Sequence, residues 1–350
     1  MRLIDPSLII TSGYSRALLV HPVRQKIHLI PIAFAEIIGG HRLFDADDLL
    51  KEYGDEAMEI LEEYHLFLDT NGYLLDERLP FIPAPVHWEL PHRIATAIVG
   101  ITTVDLETIS AILSQLDEVG CHSIEFRITS VIAPPILDSI LSLLDHTRIR
   151  SACVILPFSP LYHEDSVEKL VGNHLRLCSL VFFDSPENYE HAFFNGSTSV
   201  RFSARSFHPV YSCGTINMNT FDFGKYKEAQ THNSCLNRKV SISSDGTVGN
   251  CPGLASSYGN IASIRLKDVI STNKFQDCWT ITKDQVKKCR DCEFRFFCYD
   301  CRAFLEDPAD RYSKPLKCGY DPYSASWEKW SDSKEKRRIF SEYERMGQAF

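Results

Sequence analysis

The chain has 350 residues, of which 44% are hydrophobic and 24% charged, ordinary proportions for a globular protein. Its formal net charge of -9 argues against nucleic-acid binding, which leaves a basic footprint. No stretch approaches ~18 consecutive apolar residues, so no membrane span is expected. The opening residues MRLIDPSLIITSGYS lack the basic and apolar regions of a secretion signal, so a cytoplasmic location is expected, with cysteines serving as metal ligands rather than disulfides.

In chain order, residues 1–82 read as a separate module. Apolar stretches at 17–21 and 26–31 flank the turn-like Pro22-Val23-Arg24 and form a hairpin. Asp45-Ala-Asp-Asp-Leu-Leu and Asp55-Glu-Ala-Met-Glu-Ile-Leu open with acidic residues and continue with helically spaced apolar ones, which predicts two helices. Residues 66–75, with Asn71-Gly72 between apolar runs, predict a second hairpin. Strands, short helices and a terminal β-wing make a winged-helix-like unit. Pro80, Pro83 and Pro85 mark a linker.

Residues 83–205 alternate strands and helices. Strands are expected at 94–101, 123–128, 152–156, 177–183 and 199–204, with helices at 105–119, ending at Gly120, and at 135–144. Repeated βα units predict a parallel sheet or an open βα barrel, too short for eight full units. Residues 206–323 are cysteine- and loop-rich, with a hairpin of 239–242 and 247–251 turning at Ser243-Ser-Asp-Gly246. Residues 324–350 read as a C-terminal helix that docks an apolar stripe containing Trp327, Trp330, Ile339, Phe340 and Tyr343.

The chemistry lies in the cysteines. The chain has 12, and the last nine stand at 213, 235, 251, 278, 289, 292, 298, 301 and 318. The densest run, Cys289-x2-Cys292-x5-Cys298-x2-Cys301, is spacing that calls for metal. With the other cysteines it supplies enough thiolates for two four-ligand sites, and both [4Fe-4S] clusters and structural zinc use four Cys. Cys121, Cys153, Cys178 and Cys278 are read by default as small buried apolar residues.

The order Cys235-x10-Gly246-x4-Cys251, then Cys289 to Cys301, then Cys318 resembles the SPASM domain of radical-SAM peptide-modifying enzymes, with a final spacing of two residues instead of three. The resemblance implies two auxiliary [4Fe-4S] clusters. One would use Cys235, Cys251, Cys301 and an upstream cysteine, Cys213, with Cys278 as the fallback. The other would use Cys289, Cys292, Cys298 and Cys318. The C-x3-C-x2-C motif of radical-SAM catalysis is missing: Gly100-Ile-Thr-Thr-Val-Asp105 follows the first barrel strand, and Arg127-Ile-Thr-Ser130 follows the second. Binding and cleavage of S-adenosylmethionine are therefore not expected. The fold class expected is α/β: a shortened, degenerate radical-SAM-like βα barrel with a winged-helix-like N-terminal module and a C-terminal SPASM domain.

Tyr211-Ser-Cys-Gly-Thr-Ile, Asn233-Ser-Cys-Leu-Asn-Arg-Lys, Trp279-Thr-Ile-Thr-Lys-Asp and Lys314-Pro-Leu-Lys-Cys318-Gly-Tyr-Asp-Pro-Tyr are similar to the SPASM protein of grasp-with-spasm systems. That resemblance implies a peptide maturation factor acting with an ATP-grasp ligase on a ribosomal precursor peptide. The N-terminal module would clamp the precursor as an added strand on the edge of 17–21 or 26–30. Whether the chain is itself a catalyst stays open. The alternatives are a cluster-dependent redox enzyme or electron carrier, and a zinc-stapled peptide-binding scaffold. Lys287, Lys288, Arg290 and Arg295 are expected to balance thiolate charge, and Phe296, Phe297 and Tyr299 to shield the clusters from water.

Overall fold

A computed structural model of the chain describes residues 2–75, 91–193, 197–207, 221–329 and 333–345. The proline linker and Cys213 lie outside these residues. The N-terminal module contains β1 (Arg2–Ile4), β2 (Ile9–Ser12), β3 (Ala17–His21), β4 (Lys26–Ile30), α1 (Ile32–Gly40), β5 (Leu43–Phe44), α2 (Ala46–Tyr53), α3 (Met58–Thr70) and β6 (Leu74–Leu75). They form two three-stranded sheets, ordered β5-β1-β6 and β2-β3-β4. The expected hairpin is β3 and β4, with Ala17 opposite Ile30 and His21 opposite Lys26.

Every residue of β3 is buried. Successive side chains of a strand point to opposite faces, and here the two faces enter different cores. Ala17 and Leu19 join the module's own core with Ile4, Phe34 and Tyr64. Leu18 and Val20 pack with Phe221, Phe294 and Tyr320 of the cysteine-rich segment. Because β3 pairs with β2 on one side and β4 on the other, it has no free edge. That removes residues 17–21 as a site for an added strand and leaves β4.

The acidic starts behave as expected at Asp45, whose Oδ1 accepts from the Asp47 and Asp48 N–H groups and caps α2. After a 3₁₀ turn at Asp55–Ala57, α3 begins at Met58. The second expected hairpin is absent. Residues 66–70 finish α3, and Asn71-Gly72 closes it: Gly72 N–H donates to Asp69 C=O at 2.9 Å and Tyr73 N–H to Leu68 C=O at 2.7 Å. With Gly72 at φ +68°, this is a Schellman C-cap. The left-handed conformation that Asn-Gly supplies to a hairpin also ends a helix, and here the apolar residues before it have helical spacing.

The central sheet follows: β7 (Thr96–Ile101), α4 (Leu106–Glu118), β8 (Ser123–Ile128), α5 (Pro134–Ser142), β9 (Ser151–Pro157), α6 (Glu164–Asn173), β10 (Leu177–Phe183), β11 (Tyr189–Phe193) and β12 (Thr198–Phe202). After α7 (Phe223–Thr231), the hairpin β13 (Lys239–Ile242) and β14 (Val248–Gly249) completes an 8-stranded sheet, ordered β11-β12-β10-β9-β8-β7-β13-β14. The inner strands run parallel, and β11 and β14 are antiparallel edges. The end strands do not pair with each other, so the βα units make an open sheet, a shortened barrel. Helix α6 and edge strand β11 are not expected from sequence. Only Val167, Leu170 and Val171 of α6 are buried, and β11 is stabilised by its partner β12 rather than by its own pattern.

One face of the sheet is apolar. On β8, Ile124, Phe126 and Ile128 are buried while Ser123, Glu125 and Arg127 between them are half-buried. Helices α4, α5 and α6 cover the apolar face. Because β13 pairs with β7, the cysteine-rich segment extends this sheet, and Val240, Ile242, Val248 and Phe275 enter its core. Gly246 has φ +84° in the β13–β14 turn, and a Cβ there would lie 2.8 Å from the Asn260 amide. The turn therefore requires glycine.

Among the described residues, the remainder has α8 (Leu266–Val269), α9 (Asn273–Gln276), short 3₁₀ turns, the pair β15 (Tyr320–Asp321) and β16 (Ser326–Trp327), and α10 (Lys334–Arg345). The C-terminal helix thus starts later than expected. Trp327 is in β16, with its ring 4.7 Å from that of Tyr320. Among the described side chains of α10, Ile339 docks against Cys301, Phe304 and Leu316. Trp330 lies outside the described residues, as do the side chains of Phe340 and Tyr343.

Candidate metal centres

The structure brings Cys289, Cys292, Cys298 and Cys318 into one group. Cys289 opens a 3₁₀ turn, Cys289–Asp291, and the Cys292 N–H closes on its carbonyl at 3.0 Å. Electrostatic interactions connect Cys289 to Cys318, Cys292 to Cys289 and Cys318, and Cys298 to Cys318 and Cys289. Burial pushes the Cys289 and Cys292 thiols up and takes Cys298 to about 12. Cys292 and Cys318 pack with Phe294, Phe296, Phe297 and Tyr320, which keeps water from that side. Tyr299 is half-buried and holds Lys225 against its ring.

The cation facing this group is Lys283, 3% exposed, with Nζ 3.7 Å from Cys289 Sγ. Burial opposes its charge, but Asp300, Cys298 and Cys289 outweigh that cost and hold the ammonium well above its ordinary value. Asp300 receives Lys283 at 2.9 Å, Arg302 at 2.6 Å and the Asn233 side-chain amide at 2.8 Å. These groups are all buried, so each depends on its partners.

The second group is assembled through the same network. Asn233 Oδ1 accepts from the Cys235 and Leu236 N–H groups at 3.0 and 2.8 Å. Ser234 Oγ donates to Cys298 C=O at 2.8 Å and accepts from Asp300 N–H at 3.0 Å. Cys235 is thereby fastened beside the 298–301 run. Lys239 is its cation, with Nζ 3.4 Å from Cys235 Sγ. Burial opposes the Lys239 charge, and Cys235 and Cys251 raise it on balance. Cys251 follows β14, and the Gly253 N–H approaches its sulfur at 3.5 Å. A Cβ on Gly253 would sit 3.1 Å from Ala303 and Phe304, so this loop lies against the residues just after Cys301.

The cations expected from sequence face elsewhere. Lys287 pairs with Asp310 at 2.6 Å, Lys288 with Glu306 at 3.5 Å, Arg290 with Asp291 at 3.7 Å and Arg295 with Asp284 at 3.0 Å. Each finds a carboxylate of its own. Lys239 and Lys283 escape a sequence reading because neither is adjacent to a cysteine. The one signal is at Lys239, which opens a strand whose other residues are buried; Lys283 is the sole buried residue of its turn and carries none. The default for the remaining cysteines holds for Cys121, buried in the sheet core, but not for Cys178, exposed at a register shift in β10. Where the radical-SAM cluster loop would follow the first strand, Thr102 hydrogen-bonds Thr129 at 3.0 Å and Asp105 caps α4.

Among the described residues, no three Cys, His, Asp or Glu converge closely enough to hold one metal ion.

Residues 234–293 match the SPASM family, an iron-sulfur cluster-binding domain. The chain carries a SPASM domain. The match contains Cys235, Cys251, Cys278, Cys289 and Cys292. Solved structures similar to the chain include native anSMEcpe with bound AdoMet, at 10% identity and TM-score 0.37, over 72% of this chain and 98% of that one. Streptococcus suis SuiB is similar at 11% identity and TM-score 0.37, over 86% and 96%. SuiB bound to S-adenosylmethionine gives 11% and 0.34, over 86% and 96%. At those values the likeness carries nothing about ligands or reaction. No curated protein sequence matches the chain. No helix among the described residues is long and apolar enough to cross a membrane.

Proposed function

We propose that the protein is a peptide maturation factor that holds two [4Fe-4S] clusters, binds a ribosomal precursor peptide and acts with an ATP-grasp ligase. The observation that carries the cluster assignment is the mutual approach of Cys289, Cys292, Cys298 and Cys318 in a chain with a SPASM domain. When bound, such a cluster supplies a one-electron couple. The chain's own residues supply the thiolates, two lysine ammoniums on sulfur, and an aromatic wall.

The N-terminal module supports a peptide-binding role in the same complex. Among the described residues, no strand pairs with the outer edge of β4, and an extended peptide can add there through main-chain hydrogen bonds. The module also touches the cluster region directly: Arg16 pairs with Glu293 at 2.6 Å, and Tyr14 N–H donates to Asp291 C=O at 2.8 Å. Glu293 is next to Cys292. The cysteine-free Gly100–Asp105 loop supports work without cleavage of S-adenosylmethionine. Hydrogen exchange on the anaerobic protein, with and without its precursor peptide, tests the proposal. Protection confined to residues 26–30 is expected. Binding that leaves those amides unprotected contradicts it.

A further inference from the structure

We infer that Cys278 is the fourth thiolate of the first cluster, in place of a cysteine upstream of Cys235. This rests on the proposal that the SPASM domain holds iron–sulfur clusters and completes one of its ligand sets.

Cys278 sits in the 3₁₀ turn Asp277–Thr280. That turn and α9, which runs directly into it, are fastened to residues beside both first-site cysteines. Asn233, two residues before Cys235, donates its N–H to Trp279 C=O at 2.7 Å. Asn250, one residue before Cys251, donates its side-chain amide to Phe275 C=O at 3.0 Å. The Cys278 thiol lies 3.8 Å from that same carbonyl. Both asparagines are 1% exposed, so the anchors are shielded from competing water. Cys251 and Cys278 are near enough to interact electrostatically.

The other three cysteines outside the predicted sets belong to the sheet. Cys121 packs in the core before β8, and Cys153 and Cys178 are on β9 and β10, where they interact with each other. Cys278 is therefore the described spare thiol that the fold places beside Cys251. Its sequence position, between Cys251 and Cys289 instead of before Cys235, hides this from spacing alone. The assignment has a functional consequence. With Cys235, Cys251, Cys278 and Cys301 as ligands, every iron of that cluster has a protein thiolate, and no iron is left for a substrate carboxylate or thiolate. The first cluster then serves structure or electron transfer rather than substrate anchoring.

The test is iron and acid-labile sulfide content with EPR of the anaerobically purified full chain and of C278S, C278A and C213S. Wild type is expected to hold about eight irons. C213S should match it. C278S and C278A should lose about half the iron or show a three-iron signal, with the second cluster retained. Full iron in both Cys278 variants overturns the assignment, as does iron loss in C213S. A wild type without iron or sulfide removes the underlying cluster proposal itself, a result distinct from the variant outcomes.

Discussion

The helix-covered sheet and the cysteine-rich segment bury their residues by opposite means. The sheet core is apolar throughout, with β8 alternating buried and half-buried positions, under α4, α5 and α6. Beyond α7 and the β13–β14 hairpin, the cysteine-rich segment has helices of four residues and short turns, yet it buries Lys283, Glu293, Asp300 and Arg302. Apolar burial makes the first self-sufficient. On the proposed cluster assignment, the second depends on a group that draws thiolates together, because it removes charges from water. The two regions should therefore respond to different perturbations, although β13 joins them.

The largest separation is expected from ligand loss. Cys292→Ser should remove about four of about eight irons, while far-UV circular dichroism of the sheet and its helices changes little. Iron loss accompanied by collapse of the whole chain would break the distinction. Phe126→Ala should do the reverse. It opens a cavity under a fully buried ring and should cost about 3–5 kcal/mol in denaturant unfolding, with iron content per folded molecule unchanged. Asp300→Asn leaves Lys283 and Arg302 buried against a neutral amide. Breaking a buried ion pair costs about 3–5 kcal/mol, and here the loss should come with changed EPR of both clusters, because Asp300 touches residues beside Cys235 and Cys298.

Smaller effects sharpen the comparison within the N-terminal module. Gly72→Ala places a Cβ on a residue at φ +68° and should cost about 1–2 kcal/mol in thermal or denaturant unfolding, without touching iron. The smallest is a pH effect. Burial, aided by Lys26, lowers the affinity of His28 for a proton in the folded state. Its contribution is therefore present above the ordinary histidine value near about 6.5 and lost as pH falls through that value toward the lower folded one. His28→Gln should flatten this part of the stability–pH curve.

How much was legible from sequence follows from which forces are local. Alternation and helical spacing place β8, β10 and α4 closely, because each buries one face. Cysteine spacing gathers Cys289, Cys292, Cys298 and Cys318, and the structure brings them together. Asn71-Gly72 misleads, because one left-handed residue serves both a hairpin and a helix end. The edge at 17–21 is lost because β2, a four-residue strand, covers it. Lys239, Lys283 and the place of Cys278 depend on side-chain networks through Asn233, Asn250 and Asp300 that no spacing announces.

The measurement that tests the central claim most directly is iron, zinc and acid-labile sulfide content, with EPR, on anaerobically purified full-length wild-type protein. About eight irons and eight sulfides, with a [4Fe-4S] signal on reduction, is the predicted result. Stoichiometric zinc without sulfide would contradict it and leave a metal-stapled scaffold.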